Sequence, residues 1–321
     1  MPADHRFRNP YLSLTLTMML WGGAFSSSKT VVEYVPHTVA ALLRFGGGAI
    51  ALLVAVTLTR RDKQAFSLRS SGRASLAGVL GVFGYNGFFF WGLSLAPSLD
   101  GGILIPVLSP VLTSAFLLAG GHGRISRTRL FGLALGLGGA AAYLMGAHGN
   151  SSEGPHRLLG DVLYLLSAMC WAAFTLVGPK VLAGIEPLQA MTYATCTGAI
   201  LLAVLAVPDL GRVDWGAVPA QVWLNVAYLA IGATAIANAL YYRGIGAVGP
   251  ASASLMMFLV PVVNTVLSTV LLKESFTPLQ ALGALVLLAG AVLTGRRKQP
   301  PSPATEEPAV PHVTANSSSH P

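Results

Sequence analysis

Few ionisable side chains of this 321-residue sequence fall inside its long apolar runs. Those few are where chemistry is to be sought, because a charge at the centre of a membrane helix costs about 2.5–3.5 kcal/mol on insertion scales. Arg44 stands about two turns inside one such run, with no acidic neighbour in its own segment. Its planar guanidinium matches a carboxylate, so it is read as the contact for an anionic group, either a substrate carboxylate or Glu33. The alternatives are an internal ion pair and a side chain that snorkels to the headgroups. Lys29 and Glu33 lie one helical turn apart, and Trp21, Phe25 and Lys29 form a stripe at four-residue spacing. They read as a gate or a proton-linked pair, or else as an interfacial salt bridge at a helix end.

Two amides recur. Asn86 is followed at three and four residues by Phe89 and Phe90, and Asn238 by Tyr241 and Tyr242. On a helix each amide shares a face with its rings, as expected of a cavity for a small amphiphilic molecule. Asparagine joining helices, beside interfacial aromatic belts, is the rival explanation. Pro106, Pro110 and Pro261 interrupt apolar runs, and breaks at matching places in Pro110 and Pro261 point to a transport path. Gly46, Gly47, Gly48, Gly132, Gly136 and Gly139 are read as sites of close helix approach, and Asp100 before Gly101 and Gly102 as a helix cap.

Elements that could position these residues follow from composition. The chain is 53% apolar and 10% charged, with mean hydropathy +0.64, against about 25% charged in soluble proteins, so it must present apolar surface to lipid. A bilayer core needs roughly 20 apolar residues per helix. The sequence predicts ten such helices: Tyr11–Val32, Thr38–Thr59, Ala74–Leu95, Leu99–Ala119, Arg129–Ala147, Leu158–Pro179, Pro187–Val207, Pro219–Tyr242, Gly249–Leu272 and Pro278–Gly295. With the amino terminus in the cytoplasm, fifteen Lys and Arg fall on the cytoplasmic side and three (Arg157, Arg212 and Lys273) outside. That asymmetry puts both termini in the cytoplasm and accounts for the net charge of +8 without nucleic acid. The first run is longer than a signal-peptide core and is read as retained. Cys170 and Cys196 fall mid-run and read as packing residues. No metal pair, nucleotide loop or intramembrane cluster of acids and histidines is present, so neither an enzyme, a metal, a cofactor nor ATP-driven pumping is expected.

Laid on itself with a shift of 150 to 152 residues, the chain repeats. Trp21 meets Trp171, Pro36 meets Pro187, Asn86 meets Asn238, Gly92 meets Gly244, Pro110 meets Pro261, Gly132 meets Gly283 and Gly139 meets Gly290. Five helices per half is an odd number, so the halves are expected to enter the membrane in opposite orientations. Inverted repeats are a device of secondary transporters, with the substrate near the midplane.

Three marks carry a family resemblance: Trp21-Gly22-Gly23-Ala24-Phe25, the stretch from Pro36 to Arg44-Phe45, and Leu271-Leu272-Lys273-Glu274. On these the chain resembles the drug/metabolite transporter superfamily, and within it the EamA-type ten-span exporters, from Tyr11 to Gly295. One departure is Gly123, where the family often has an acidic residue. The resemblance implies an all-α polytopic membrane protein, ten transmembrane helices as two inverted five-helix repeats, and transport with the substrate left open.

The expected organisation is a cytoplasmic segment 1–10, repeats over 11–147 and 158–295, an extracytoplasmic linker 148–157 and a disordered tail 296–321. The expected function is export of a small organic solute, an amino acid first, across the plasma membrane by alternating access. The binding set is Trp21, Arg44, Asn86, Phe89, Phe90, Trp171, Asn238, Tyr241 and Tyr242, with Lys29, Glu33, Pro110 and Pro261 as gating or coupling residues. Export of cationic or lipophilic drugs through Glu33 and the aromatics is the alternative, followed by a non-transporting receptor. Partners are the substrate and the lipid bilayer; a homodimer is compatible with the sequence.

Overall fold

The computed structural model describes residues 9–59, 68–120, 127–148, 154–275 and 277–295. Every regular element among them is helical: α1 (Pro10–Val32), α2 (His37–Thr59), α3 (Leu68–Gly78), α4 (Tyr85–Leu95), α5 (Ser98–Ala119), α6 (Arg127–His148), α7 (Gly154–Val181), α8 (Pro187–Leu210), α9 (Ala220–Ala227), α10 (Ala237–Met256), α11 (Leu259–Leu271) and α12 (Pro278–Gly295). Wider π-helical turns at Val79–Gly84 and Tyr228–Ile236 fuse α3 to α4 and α9 to α10. The basic residues expected at 60–63, at Arg124 and at 296–298, and the linker around 149–153, lie outside the described residues.

Helix covers each of the ten expected runs, and seven stretches are both long and apolar enough to cross a membrane: His37–Leu58, Ser71–Leu95, Ser98–Ala119, Leu130–Ala147, His156–Gly178, Leu188–Leu210 and Ala220–Tyr241. Leu259–Leu271 and Pro278–Leu293 are apolar but shorter. At 23 residues α1 has the length, yet Ser26, Ser27, Ser28, Lys29 and Thr30 make it polar. Some of its hydroxyls find partners inside the bundle instead, Thr17 at the Ser13 and Ala237 carbonyls and Ser26 at Ser268, while the Ser28 hydroxyl is buried without one among the described residues.

One expected boundary moves. Helix continues through the loop anticipated between Tyr242 and Gly249 and breaks at Met257–Phe258. A proline ring displaces the carbonyl four residues earlier, and four residues before Pro261 is Met257. Pro261 then sits in the first turn of α11, where no helical N–H is missed. Around Pro106 and Pro110, α5 runs on as one continuous helix.

The packing pairs helices that the 150-residue shift relates: α2 lies on α8, α5 on α11 and α6 on α12, while α1 on α10 matches α4 on α7. Glycine brings α6 and α12 together. A Cβ on Gly139 would stand 2.3 Å from the Leu287 nitrogen, and one on Gly290 2.3 Å from the Gly136 nitrogen, so backbone meets backbone and no side chain fits between. On α2, Gly47 and Gly48 make room for Ala230 and Thr234 of the second π segment.

Candidate substrate site

Arg44 projects from α2 among aromatic rings. Its guanidinium carbon is 5.0 Å from the centroid of Phe45 and 6.0 Å from that of Phe89. Its Nε is buried without a hydrogen-bond partner, and no carboxylate among the described residues pairs with it. The titratable groups nearest its charge are the phenols of Tyr85 on α4 and Tyr228 in the second π segment. Cation–π contact with two rings holds the guanidinium in place and leaves its donors for something else.

The rings continue outward from Arg44. Phe89 is 5.3 Å from Phe25 edge-on, 5.1 Å from Phe90 and 6.1 Å from Tyr85 in a stack. Tyr85 in turn is 5.1 Å from Trp171. On the far side of Tyr228, whose hydroxyl donates to the Leu20 carbonyl at 2.8 Å, Trp21 and Tyr241 form their own pair at 4.8 Å. Trp21 Nε1 donates to the Ala233 carbonyl at 3.1 Å and the Tyr241 hydroxyl reaches Met257 Sδ at 3.7 Å. Arg44, Phe89, Phe90 and Trp171 thus form one contact chain, and Trp21 and Tyr241 a second patch beside it. The side chain of Tyr242 lies outside those described. Sequence reasoning missed Tyr85 and Tyr228; adjacency to Asn86 was the available signal for the first, and Tyr228 carried none.

The amides share one local geometry. Asn86 Nδ2 donates to the Val82 carbonyl at 2.8 Å and Asn238 Nδ2 to the Thr234 carbonyl at 2.6 Å, each four residues back and each at the end of a π segment. π turns weaken the regular hydrogen-bond ladder and recur at functional sites; here the amide donors take up a carbonyl of each. Asn86 is 1% exposed and its Oδ1 accepts from nothing. With Arg44, the site therefore offers one buried donor and one buried acceptor unused.

The gating residues part company. Lys29 Nζ donates to the Leu93 and Ala96 carbonyls at 2.8 and 3.0 Å, while Glu33 is an exposed residue capping α1. Asp100 is no cap: Pro97 holds that position, and Asp100 is a fully buried residue inside the first turn of α5. Its Oδ2 accepts from Arg157 Nη2 at 2.9 Å and Nε at 3.2 Å, and its Oδ1 from Tyr143 at 2.7 Å and Gln280 at 3.2 Å. Asp161, one turn beyond Arg157, is within hydrogen-bonding reach. Glu274, in the α11–α12 connection, accepts from the Ser98 and Leu99 amides at 2.8 Å each. Burial pushes the Glu274 carboxyl up from its ordinary value, against the Ser98 and Leu99 bonds and the Lys29 charge that pull it down.

Residues 9–145 and 158–296 each match the EamA-like transporter family. The chain belongs to that family. Among its relatives, an uncharacterized transporter of Bacillus subtilis (strain 168), YyaM, is 24% identical over 284 residues, 88% of this chain and 92% of that protein. A probable terminal-alkyne amino-acid exporter of Streptantibioticus cattleyicolor is 25% identical over 290 residues, 89% of this chain and 93% of its own. The aromatic amino acid exporter YddG of Ancylobacter novellus is 24% identical over 280 residues, 86% and 93% of the two chains. A solved crystal structure superimposes with a TM-score of 0.61 at 22% identity, covering 88% of this chain and 95% of its own, and shares the fold. This EamA-family protein is therefore a multi-pass membrane transporter.

Proposed function

We infer that this EamA-family transporter exports a small carboxylate-bearing organic solute, an amino acid first, from the cytoplasm across the plasma membrane. The observation that carries the reading is the Arg44 guanidinium, held by two rings and without a carboxylate partner among the described residues. A half-buried cation inside an apolar helix is costly unless an anion meets it, and a substrate carboxylate matches its fork. The unused Asn86 Oδ1 is the complementary acceptor for an ammonium group, so the pair suits a zwitterion. Amino-acid export by two relatives agrees with this chemistry. Two inverted five-helix halves, both termini in the cytoplasm, would expose the site to each side in turn; the pairing of shift-related helices supports that arrangement. Cationic drugs fit the site less well, since Arg44 repels them and Glu33 stands exposed away from the rings.

Counterflow in proteoliposomes tests the reading: vesicles preloaded separately with unlabelled amino acids and lipophilic cations are offered the matching labelled compound. Accumulation of an amino acid by the wild type, reduced about 10- to 100-fold in Arg44→Ala and less in Arg44→Lys, is expected for loss of a charge-assisted contact. Equal transport by Arg44→Ala and wild type would remove Arg44 from the site.

A further inference from the structure

The ring cage leaves unused a separate set of buried polar contacts that converge on the first turn of α5. The Ser98 and Leu99 amides, which no helical carbonyl can serve, donate to the two carboxylate oxygens of Glu274, and the Ser98 hydroxyl lies 3.1 Å from both. The Ser98 hydroxyl also meets Ser268 at 2.9 Å, and Asn264 Nδ2 donates to the Ser98 carbonyl at 3.3 Å. The next residue, Asp100, takes the Arg157 and Gln280 side chains. On the other side of the same corner, the Lys29 ammonium covers the closing carbonyls of α4. An ammonium on a helix C-terminus and a carboxylate on the following N-terminus each meet a helix dipole of opposite sign.

Most partners on the first turn of α5 come from beyond the first repeat, Arg157 from the linker and Asn264, Ser268, Glu274 and Gln280 from the second repeat, with Tyr143 of α6 beside them. The reverse does not hold. At the repeat offsets of 150 and 151, Asp100 corresponds to Pro250 or Ala251, Glu274 to Arg124 or Gly123 and Lys29 to Pro179 or Lys180, so neither carboxylate recurs. Among the described residues the opposite end carries basic side chains: Arg73, which donates to the Lys180 and Ala183 carbonyls at 3.0 Å, and the exposed Arg127, Lys180 and Arg243.

We propose that the first turn of α5 is a latch: Glu274 and Arg157 grip it to keep this end of the bundle shut, and the transporter opens there only when they release it. The Glu274 grip joins segments 176 residues apart, whereas the carboxylate that caps a helix among the described residues of the other end, Glu186, bonds only its own first turn, so the two ends are unequal and the conformer closed at the α4–α5 corner is the resting one. The name of gate rests on the transport reading; the grip does not, and is measured without substrate. In the full chain in lipid nanodiscs, hydrogen–deuterium exchange of a peptide containing Ser98 and Leu99 is slow in the wild type. Glu274→Ala is expected to speed it at least tenfold with α6 and α12 unaltered, whereas Lys273→Ala, an exposed neighbour, leaves it unchanged. Glu274→Gln, which keeps one acceptor, gives an intermediate rate and stands in for the alanine variant if that variant fails to fold. Spin labels at Tyr34 and Lys273, in a chain with Cys170 and Cys196 replaced by alanine, are expected to show one short distance, with a longer population added in Glu274→Gln. Wild-type exchange and wild-type distances in both Glu274 variants would overturn the latch. Inert counterflow with a positive exchange result would overturn transport instead and leave the latch standing.

Discussion

Replacing Arg157 by methionine keeps most of the stem and removes both donors from Asp100 Oδ2, at 2.9 and 3.2 Å. The two side chains are 11% and 0% exposed, so water cannot replace the lost partner. Stranding a buried charge costs about 3–5 kcal/mol. The Tyr143 and Gln280 donors still hold Oδ1, which places the cost at the lower end, about 3 kcal/mol. For a chain of this length about 2 °C is lost per kcal/mol, so the melting temperature should fall by about 6 °C. The assay is thermal unfolding in detergent, followed by a thiol-reactive dye at Cys170 and Cys196, both free and half-buried. Asp100→Asn in the Arg157→Met background removes the stranded charge and should restore roughly 2 kcal/mol, a coupling well above the few tenths expected of independent sites. A single Arg157→Met variant melting within 1 °C of wild type, or two single losses that simply add, would refute the buried pair as an energetic unit.

Other consequences are as direct. Asn86→Leu removes the unused acceptor and should weaken an amino acid about tenfold more than the matching deaminated carboxylate, as read by competition in counterflow. Gly139→Ala should destabilise the α6–α12 contact and broaden the gel-filtration peak, because its Cβ meets the Leu287 backbone; Gly138→Ala on the same helix, with nothing within 4 Å, should be neutral or slightly stabilising. Glu274 has a folded value raised by burial, so the protonation-linked part of its contribution is full below the unfolded carboxyl value of about 4.3 and is lost as pH rises through the raised value, while the Ser98 and Leu99 bonds remain. Thermal melts from pH 5 to pH 8 should therefore show the wild type losing ground to Glu274→Gln as pH increases, and parallel curves would contradict this.

Arg44 was legible in the sequence because one charge in a long apolar run has few explanations, and the paired amides because they recur at a fixed shift. The phenols that face Arg44 were not. Tyrosine is common at membrane interfaces, and Tyr228 lies in a π segment, where the register departs from 3.6 residues per turn and a helical projection misplaces it. Asp100 imitated a cap, since Pro97 and Gly101-Gly102 resemble the start of a helix, and its partner Arg157 lay 57 residues on beside a stretch read as a loop. The grip of Glu274 on Ser98 spans 176 residues, a separation that local pattern does not encode. The expected helix count rests on apolar length and on the asymmetry of Lys and Arg; α1 shows that a helix packed in protein has no need to be apolar throughout.

The polarity of α1 also bears on how the chain is made. Thr17 finds the Ala237 carbonyl 220 residues later, and Ser26 finds Ser268 after 242. At about 5–20 residues synthesised per second, those partners emerge roughly 10 to 50 seconds after α1 itself. Thr15, Thr17 and Thr30 can bond carbonyls of α1 itself and Lys29 meets its α4 carbonyls 64 and 67 residues on, but for the rest of that interval Ser26 lacks its Ser268 partner, and lipid offers it nothing. The nascent helix must wait beside the insertion machinery or at the bilayer surface, and premature release there would be the natural point at which this protein is lost to quality control.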